Sequence, residues 1–430
     1  MRCSGLCIYQ PLKREEFMNK PKCFAISKQV VWDAWLQVKQ NKGAAGVDGM
    51  TIEKYELNLK DNLYKLWNRM SSGSYFPKPV RTVLIPKDDG GERRLGIPSI
   101  NDRIAQTVFA LLLEPVLEPK FSDNSFGFRP GRSAHDAVKR ASDNCRTYGY
   151  VIDLDIEKFF DNVEHDLLLR AVKKHATEPW MMLYVKRWLE SPSQNEDGSL
   201  TVRERGTPQG GVASPLLANL FLHYAFDAWM EKTIPTLPFE RYVDDIIVHC
   251  KSREQAEHVQ RLIKRRLEKC GLRMHPTKTK IVFCKNQWRQ DITGPVKFDF
   301  LGFTFQPRHC LSTQGLLTGF CPAISSRAQK RIRVECKSWQ LHNQVFASLN
   351  EIARKLNPII RGWYNYYSRF SRSLCLKALN FIDTQLIKWL RRKYLRYAKH
   401  KIRASRALAA IRGRNPRLFA HWEKRSTCKI

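Results

Sequence analysis

Two acidic motifs set into apolar, strand-forming runs constrain this chain more than any other feature. Tyr150-Val151-Ile152-Asp153-Leu154-Asp155-Ile156 alternates as a β-strand, so Asp153 and Asp155 share one side of it. Arg241 to Cys250 reads as strand, turn and strand, with Tyr242-Val243-Asp244-Asp245 at the turn and Ile246-Ile247-Val248 after it. A lone Asp-Asp pair is usually an ordinary hairpin turn. Two sets of carboxylates say more. Adjacent negative charges raise one another's pKa unless a cation neutralises them, and Mg2+, held by carboxylates and substrate phosphates, does so. Two metals about 4 Å apart clamp the attacking and leaving oxygens of a phosphoryl transfer, and they need carboxylates from separate strands. The fold must therefore bring the strand and the hairpin together. Geometry alone does not choose between Asp153 and Asp155.

These carboxylates are an exception in a basic protein. The 430 residues include 74 Lys+Arg against 41 Asp+Glu, a net charge of +33. Such a chain seeks a polyanion, with nucleic acid first and a membrane surface second. The charge is uneven: residues 321–430 hold 26 Lys+Arg against 4 Asp+Glu, net +22, leaving +11 for the first 320. That boundary is the first domain division. A 43% hydrophobic content argues against global disorder. No apolar run approaches the roughly 20 residues that span a bilayer, and residues 1–20 lack a secretory apolar segment, so a cytosolic protein is expected. The 12 cysteines form no C-x-x-C pair or zinc-type cluster, which points to reduced thiols. Charge and paired carboxylates together fit nucleotidyl transfer on a nucleic-acid template.

Along the chain, residues 24–70 read as helical around a Gly-rich loop. Val80 to Ile85 and Arg93 to Pro98 form a hairpin across Asp88-Asp89-Gly90-Gly91, and residues 101–117 return to helix. Ser214-Pro215 opens an apolar helix to about Met230, with Ser214 as N-cap and Pro215 at the first helical position. A charged helix (Arg253 to Lys269) and a strand (Lys280 to Cys284) follow. Strands and helices out of βαβ order give an α+β fold. Past 321 the pattern is helical, with aromatics set among cations.

Several motifs then stand in a recognisable order: Lys42-Gly43-Ala44-Ala45-Gly46-Val47-Asp48-Gly49, Ile85-Pro86-Lys87, Ser125-Phe126-Gly127-Phe128-Arg129-Pro130-Gly131-Arg132-Ser133, Asp153 to Asp161, Gly206-Thr207-Pro208-Gln209-Gly210-Gly211, Tyr242 to Asp245, Phe300-Leu301-Gly302-Phe303 and Arg361-Gly362-Trp363-Tyr364-Asn365-Tyr366-Tyr367. Their order resembles the reverse transcriptases encoded by group II introns, the RT–maturase family. The resemblance implies a right-hand polymerase: an N-terminal extension (1–70), fingers and palm (71–320) and an all-α basic thumb, or maturase domain X (321–430).

What the resemblance implies for residues follows the motifs. The palm aspartate lies five residues before an aromatic that gates the sugar 2′ position, which selects Asp155, with Phe160 as the gate. Asp153 becomes a supporting residue, and Asp161 stays outside the catalytic set. Asp155 and Asp244 would be the main ligands of two Mg2+ ions, helped by the Ile156 carbonyl, with Asp245 required but less directly coordinating. Lys87 and Arg93 would hold the incoming triphosphate, Gln209 would pack on the nucleotide sugar, and Lys278 would protonate the leaving pyrophosphate. Arg129 and Arg132 would hold template phosphates. In the thumb, Arg361, Tyr366, Lys388, Arg391, Arg392 and Lys393 would contact nucleic acid, from helices near 345–356, 358–370 and 373–400, with Arg403 to Arg425 folding only on RNA.

The family's hairpin usually has Ala where this chain has Val243, and Met274-His275-Pro276-Thr277-Lys278-Thr279 has His and Thr where Asn and Glu are common. The zinc-type cysteine pairs and His-Asn-His pattern of an appended DNA endonuclease are missing. The expected partners are intron RNA, an RNA template with DNA primer, target DNA and deoxynucleoside triphosphates, with no membrane. The expected function is RNA-dependent DNA synthesis combined with splicing assistance and intron mobility by target-primed reverse transcription, in a bacterial cytosol or nucleoid or an organelle. The alternatives are a non-enzymatic maturase and a domesticated enzyme of repair or phage defence.

Overall fold

The computed structural model describes residues 23–86, 91–289, 294–312 and 315–426. They form two compact units that interleave along the chain. One holds the residues up to Pro130, Ile156–Pro235 and Leu262–Met274; the other holds Gly131–Asp155, Thr236–Arg261 and the residues from His275 onward. The strands, in chain order, are β1 (Val80–Pro86), β2 (Glu92–Ile97), β3 (Tyr150–Leu154), β4 (Ser193–Gln194), β5 (Leu200–Thr201), β6 (Phe239–Tyr242), β7 (Asp245–Cys250), β8 (Lys280–Phe283), β9 (Phe298–Phe300), β10 (Phe303–Ser312) and β11 (Gly315–Ile324).

In the first unit a sheet of order β2-β1-β4-β5 carries the expected hairpin. The helix Ile100–Leu117 is a core element, with Ile104, Ala105, Val108, Phe109 and Leu113 all fully buried. Its Asp102 is buried too, and accepts from the Ser99 hydroxyl at 2.6 Å and from the Tyr75 hydroxyl. Burial pushes the Asp102 carboxyl up, against the lowering effect of those hydrogen bonds. The expected cap at Ser214 is not made. The helix is Ser214–Leu222 with Ala213 at the N-cap, and the Ser214 hydroxyl instead donates to the Pro208 carbonyl at 2.7 Å. The preceding turn competes for that hydroxyl and wins.

The second unit holds the sheet that matters for chemistry, of order β6-β7-β3-β8. β3 is flanked on both edges, which explains its apolar composition: Val151, Ile152 and Leu154 are at most 2% exposed, as are Ile246, Ile247 and Val248 of β7. A second sheet, β11-β10-β9, precedes the helical segment.

That helical segment departs from expectation in two places. Leu349–Tyr367 is one helix despite Pro358. A Ser348–Glu351 capping box starts it, and Ile352, Ala353, Leu356 and Ile360 bury one stripe spanning the proline, which holds both halves in line. The residues after 400 are packed helices: Lys401–Arg414 and Ala420–Ser426 are helical, and Leu408, Phe419 and Trp422 join a core with Leu356, Leu379, Ile382 and Trp389. Asn357 ties this end down, donating to the Leu418 carbonyl at 3.0 Å and accepting from the Ala420 amide at 2.9 Å. Burial of two large aromatics supplies the ordering free energy that the charge count alone concealed.

Candidate active site

Register brings the two acidic motifs together. β3 pairs antiparallel with β7, Asp153 with Ile247 and Leu154 with Ile246, so the next step sets Asp155 level with Asp245. β6 pairs with β7 down to Tyr242 with Asp245, leaving Val243 and Asp244 as a two-residue turn. The backbone positions of Asp155, Asp244 and Asp245 therefore lie at one end of the sheet.

The end of β3 is held by a turn from the far side. The His275 amide donates to the Asp155 carbonyl at 2.8 Å, and the Asp155 amide donates to the Thr279 hydroxyl oxygen at 3.3 Å. His275 Nδ1 accepts from the Thr277 and Lys278 amides, both at 3.4 Å. The His275 amide and the Thr279 hydroxyl thus anchor the backbone of Asp155 from both of its polar groups.

The local electrostatics favour a cation. Burial first, then the neighbouring Asp245, push the Asp153 carboxyl up to about 7; Lys280 lowers it, and Asp155 and Asp299 raise it further. Among the described residues no three His, Cys, Asp or Glu side chains converge into a ready-made metal cage. Mg2+ takes one or two protein carboxylates and completes its shell with water and substrate phosphates. All-oxygen donors from Asp155, Asp244 and Asp245 are the right chemistry for such an ion.

Two buried charged residues escaped sequence reading. Glu240 and Arg241, adjacent on β6, are both 0% exposed. Glu240 accepts from Asn144 Nδ2 at 2.6 Å and from His249 Nε2 at 2.7 Å. Arg241 Nη1 donates to the carbonyl of Val243 at 3.1 Å. Two charged residues inside a strand-forming run were the available signal.

In the first unit, Gln209 lies in a loop docked on β2: the Gly96 amide donates to the Gln209 carbonyl at 2.6 Å. Gly210 has φ of 107°, and a Cβ there would sit 2.4 Å from the Gly96 carbonyl oxygen, so both the conformation and the space require glycine. Phe160 is half-buried, and its carbonyl accepts from the Thr207 amide at 2.7 Å. Arg93, opposite Ile85 in the hairpin, is exposed, as is Lys278 in the second unit. Lys87 lies outside the described residues.

Several residues expected on nucleic acid are committed internally. Arg129 is 6% exposed; its Nη2 meets Glu118 Oε1 at 2.7 Å, and its Nη1 donates to the carbonyls of Ser122 and Ser125. Its donors tie its own loop together. The Tyr366 hydroxyl donates to the Leu301 carbonyl at 2.9 Å, and its ring packs on Phe303 and His135. Burial pushes that hydroxyl up to about 12. Arg391 donates to the Ala398 carbonyl and Lys393 to the Ala347 carbonyl. Arg361, Lys388 and Arg392 are exposed, and Arg132 is partly so.

Comparison with known proteins agrees with the geometry. Residues 85–305 match the family described as reverse transcriptase (RNA-dependent DNA polymerase). The chain belongs to that family. Residues 329–407 match the group II intron maturase-specific domain, which makes it a reverse transcriptase of the group II intron type. Protein YkfC of Escherichia coli is 32% identical over 56% of this chain and 73% of its own length. The group II intron-encoded protein LtrA of Lactococcus lactis is 31% identical over 49% of this chain but only 35% of its own. A putative COX1/OXI3 intron 1 protein of Saccharomyces cerevisiae is 30% identical over 51% of this chain and 26% of its own. As a reverse transcriptase the chain is a divalent-metal-dependent polymerase acting on nucleic-acid templates, with RNA binding implied by its maturase domain. Among the described residues no helix is long and apolar enough to cross a membrane.

Proposed function

We propose that the chain extends a DNA primer on an RNA template at Asp155, Asp244 and Asp245, and that its +22 C-terminal segment binds intron RNA as a splicing cofactor. The observation that carries this reading is the register that sets Asp155 level with Asp245 at the hairpin turn. Two Mg2+ ions, held by Asp155, the Ile156 carbonyl, Asp244 and Asp245, would activate the primer hydroxyl and neutralise charge on the reacting phosphate. The protein's own residues do the rest. Thr279 and His275 fix the Asp155 backbone. Arg93 and Lys87 meet the triphosphate, Phe160 and Gln209 select its sugar, and Lys278 supplies the proton that the leaving pyrophosphate takes. Exposed Arg361, Lys388 and Arg392, with Arg132, neutralise phosphates of RNA or of the template–primer duplex. Target DNA is engaged during target-primed synthesis.

Primer extension on an RNA template with Mg2+ and the four deoxynucleotides tests this. Asp244→Ala should lose activity on the order of a thousandfold or more, the equivalent of several kcal/mol of transition-state stabilisation. Absence of extension by the folded, RNA-free wild-type chain would refute the reading.

A further inference from the structure

We propose that Arg241 is a positioning residue for polymerisation, its buried guanidinium holding the strained turn that presents Asp244 and Asp245. The proposal rests on the reading of those aspartates as metal-holding groups. Tyr242 pairs with Asp245, so Val243 and Asp244 are the entire turn. Val243 has φ of 60°, while Asp244 is not in the positive region. Positive φ at the first central position alone is the pattern of a type II′ turn, where glycine is the favoured residue. A β-branched residue with positive φ is an outlier, and it persists only where its surroundings over-determine it.

Val243 is 4% exposed, and Arg241 is 0% exposed with Nη1 3.1 Å from the Val243 carbonyl oxygen. That oxygen belongs to the peptide joining Val243 to Asp244. Holding it fixes the plane of that peptide and therefore the direction in which the Asp244 carboxylate leaves the turn. Rotation of the plane would swing Asp244 away from Asp155 without breaking the sheet, because the β6–β7 pairing ends one residue before it. A fully buried guanidinium is costly unless its donors are met, and one of them is met by the Val243 carbonyl.

The test is Arg241→Lys, which keeps the charge and loses the planar fork. Misplacement on the order of 1 Å costs about 100-fold in rate, so kcat should fall by about 10- to 100-fold with KM for the deoxynucleotide changed less than about threefold. Two readouts do not depend on turnover. Mg2+ affinity of the full chain, measured by calorimetry, should weaken several-fold. Hydrogen exchange of the amides from Tyr242 to Ile246 should accelerate. Glycine adopts positive φ without strain, so Val243→Gly should relieve the dependence: R241K should cost less than about tenfold in a V243G background. The same factor in both backgrounds, or unchanged Mg2+ affinity and exchange, would overturn the proposal. If R241K alone does not fold, the proposal requires the R241K/V243G chain to fold and extend primers, and an equally unfolded double variant overturns it. Failure of the underlying reading is separately visible, as a D244A chain that keeps both Mg2+ affinity and extension.

Discussion

Replacing Arg129 with methionine separates an internal clamp from a phosphate contact. The guanidinium meets Glu118 through Nε at 3.0 and 3.1 Å and through Nη2 at 2.7 Å, reaches the carbonyls of Ser122, Ser125 and Glu118, and lies 5.3 Å from the centre of the Phe121 ring. Methionine fills much of the volume but donates nothing. Stranding one partner of a buried ion pair costs about 3–5 kcal/mol. The Glu118 side chain is 26% exposed, so its carboxylate partly rehydrates and its share of that cost shrinks. The orphaned Ser122 and Ser125 carbonyls add roughly 1 kcal/mol each. A net loss of about 3 kcal/mol follows, which for a unit of this size lowers the melting temperature by about 6–12 °C. Calorimetric melting measures it, and Arg129→Met with Glu118→Gln should recover part of the loss by removing the stranded charge. RNA affinity measured against salt supplies the contrast. Arg129→Met should leave the log–log slope unchanged, whereas exposed Arg392→Gln should make it shallower by about 0.7–0.9 with little change in melting. An Arg129→Met chain that melts within about 2 °C of wild type and shows the shallower slope would refute the clamp.

The other predictions concern separate parts of the molecule. Glu240→Ala strands the fully buried His249 and the half-buried Asn144 and should cost about 3–5 kcal/mol in urea unfolding; a loss below about 1 kcal/mol would deny that the cluster supports the sheet. Gly210→Ala forces a Cβ to within 2.4 Å of the Gly96 carbonyl at a φ of 107°, so it should lift the Gln209 loop from β2 and raise KM for the incoming nucleotide by about tenfold or more. An unchanged KM would detach that loop from nucleotide binding. Asp383→Ala removes the acceptor of the Trp422 and His421 side chains, at 2.7 and 2.9 Å, and should loosen the last two helices, seen as faster hydrogen exchange after residue 400. Protection equal to wild type would show that the apolar core alone secures them.

Much of this protein was legible in its sequence because the signals are local. Alternation marked β3, the paired aspartates marked the hairpin, and the charge imbalance marked the C-terminal helices. Ordered motifs then selected Asp155 over Asp153, a choice the spacing alone had left open. Cation placement was less legible. Arg129 and Arg392 carry the same charge, yet one is walled in by Glu118 and carbonyls while the other is exposed. Charge is a property of the residue, whereas burial is a property of everything packed around it.

The sequence by itself determined β3, the acidic hairpin, the acidic exception in a basic chain and the polyanionic partner, because alternation and charge are carried by the residues themselves. Only the tertiary structure decided that Asp155 stands level with Asp245, that Phe419 and Trp422 order the last helices, and that Arg241 lies buried beneath a strained valine. The first two depend on contacts between residues far apart in the chain and the third on burial by the surrounding fold, so no local pattern encodes them.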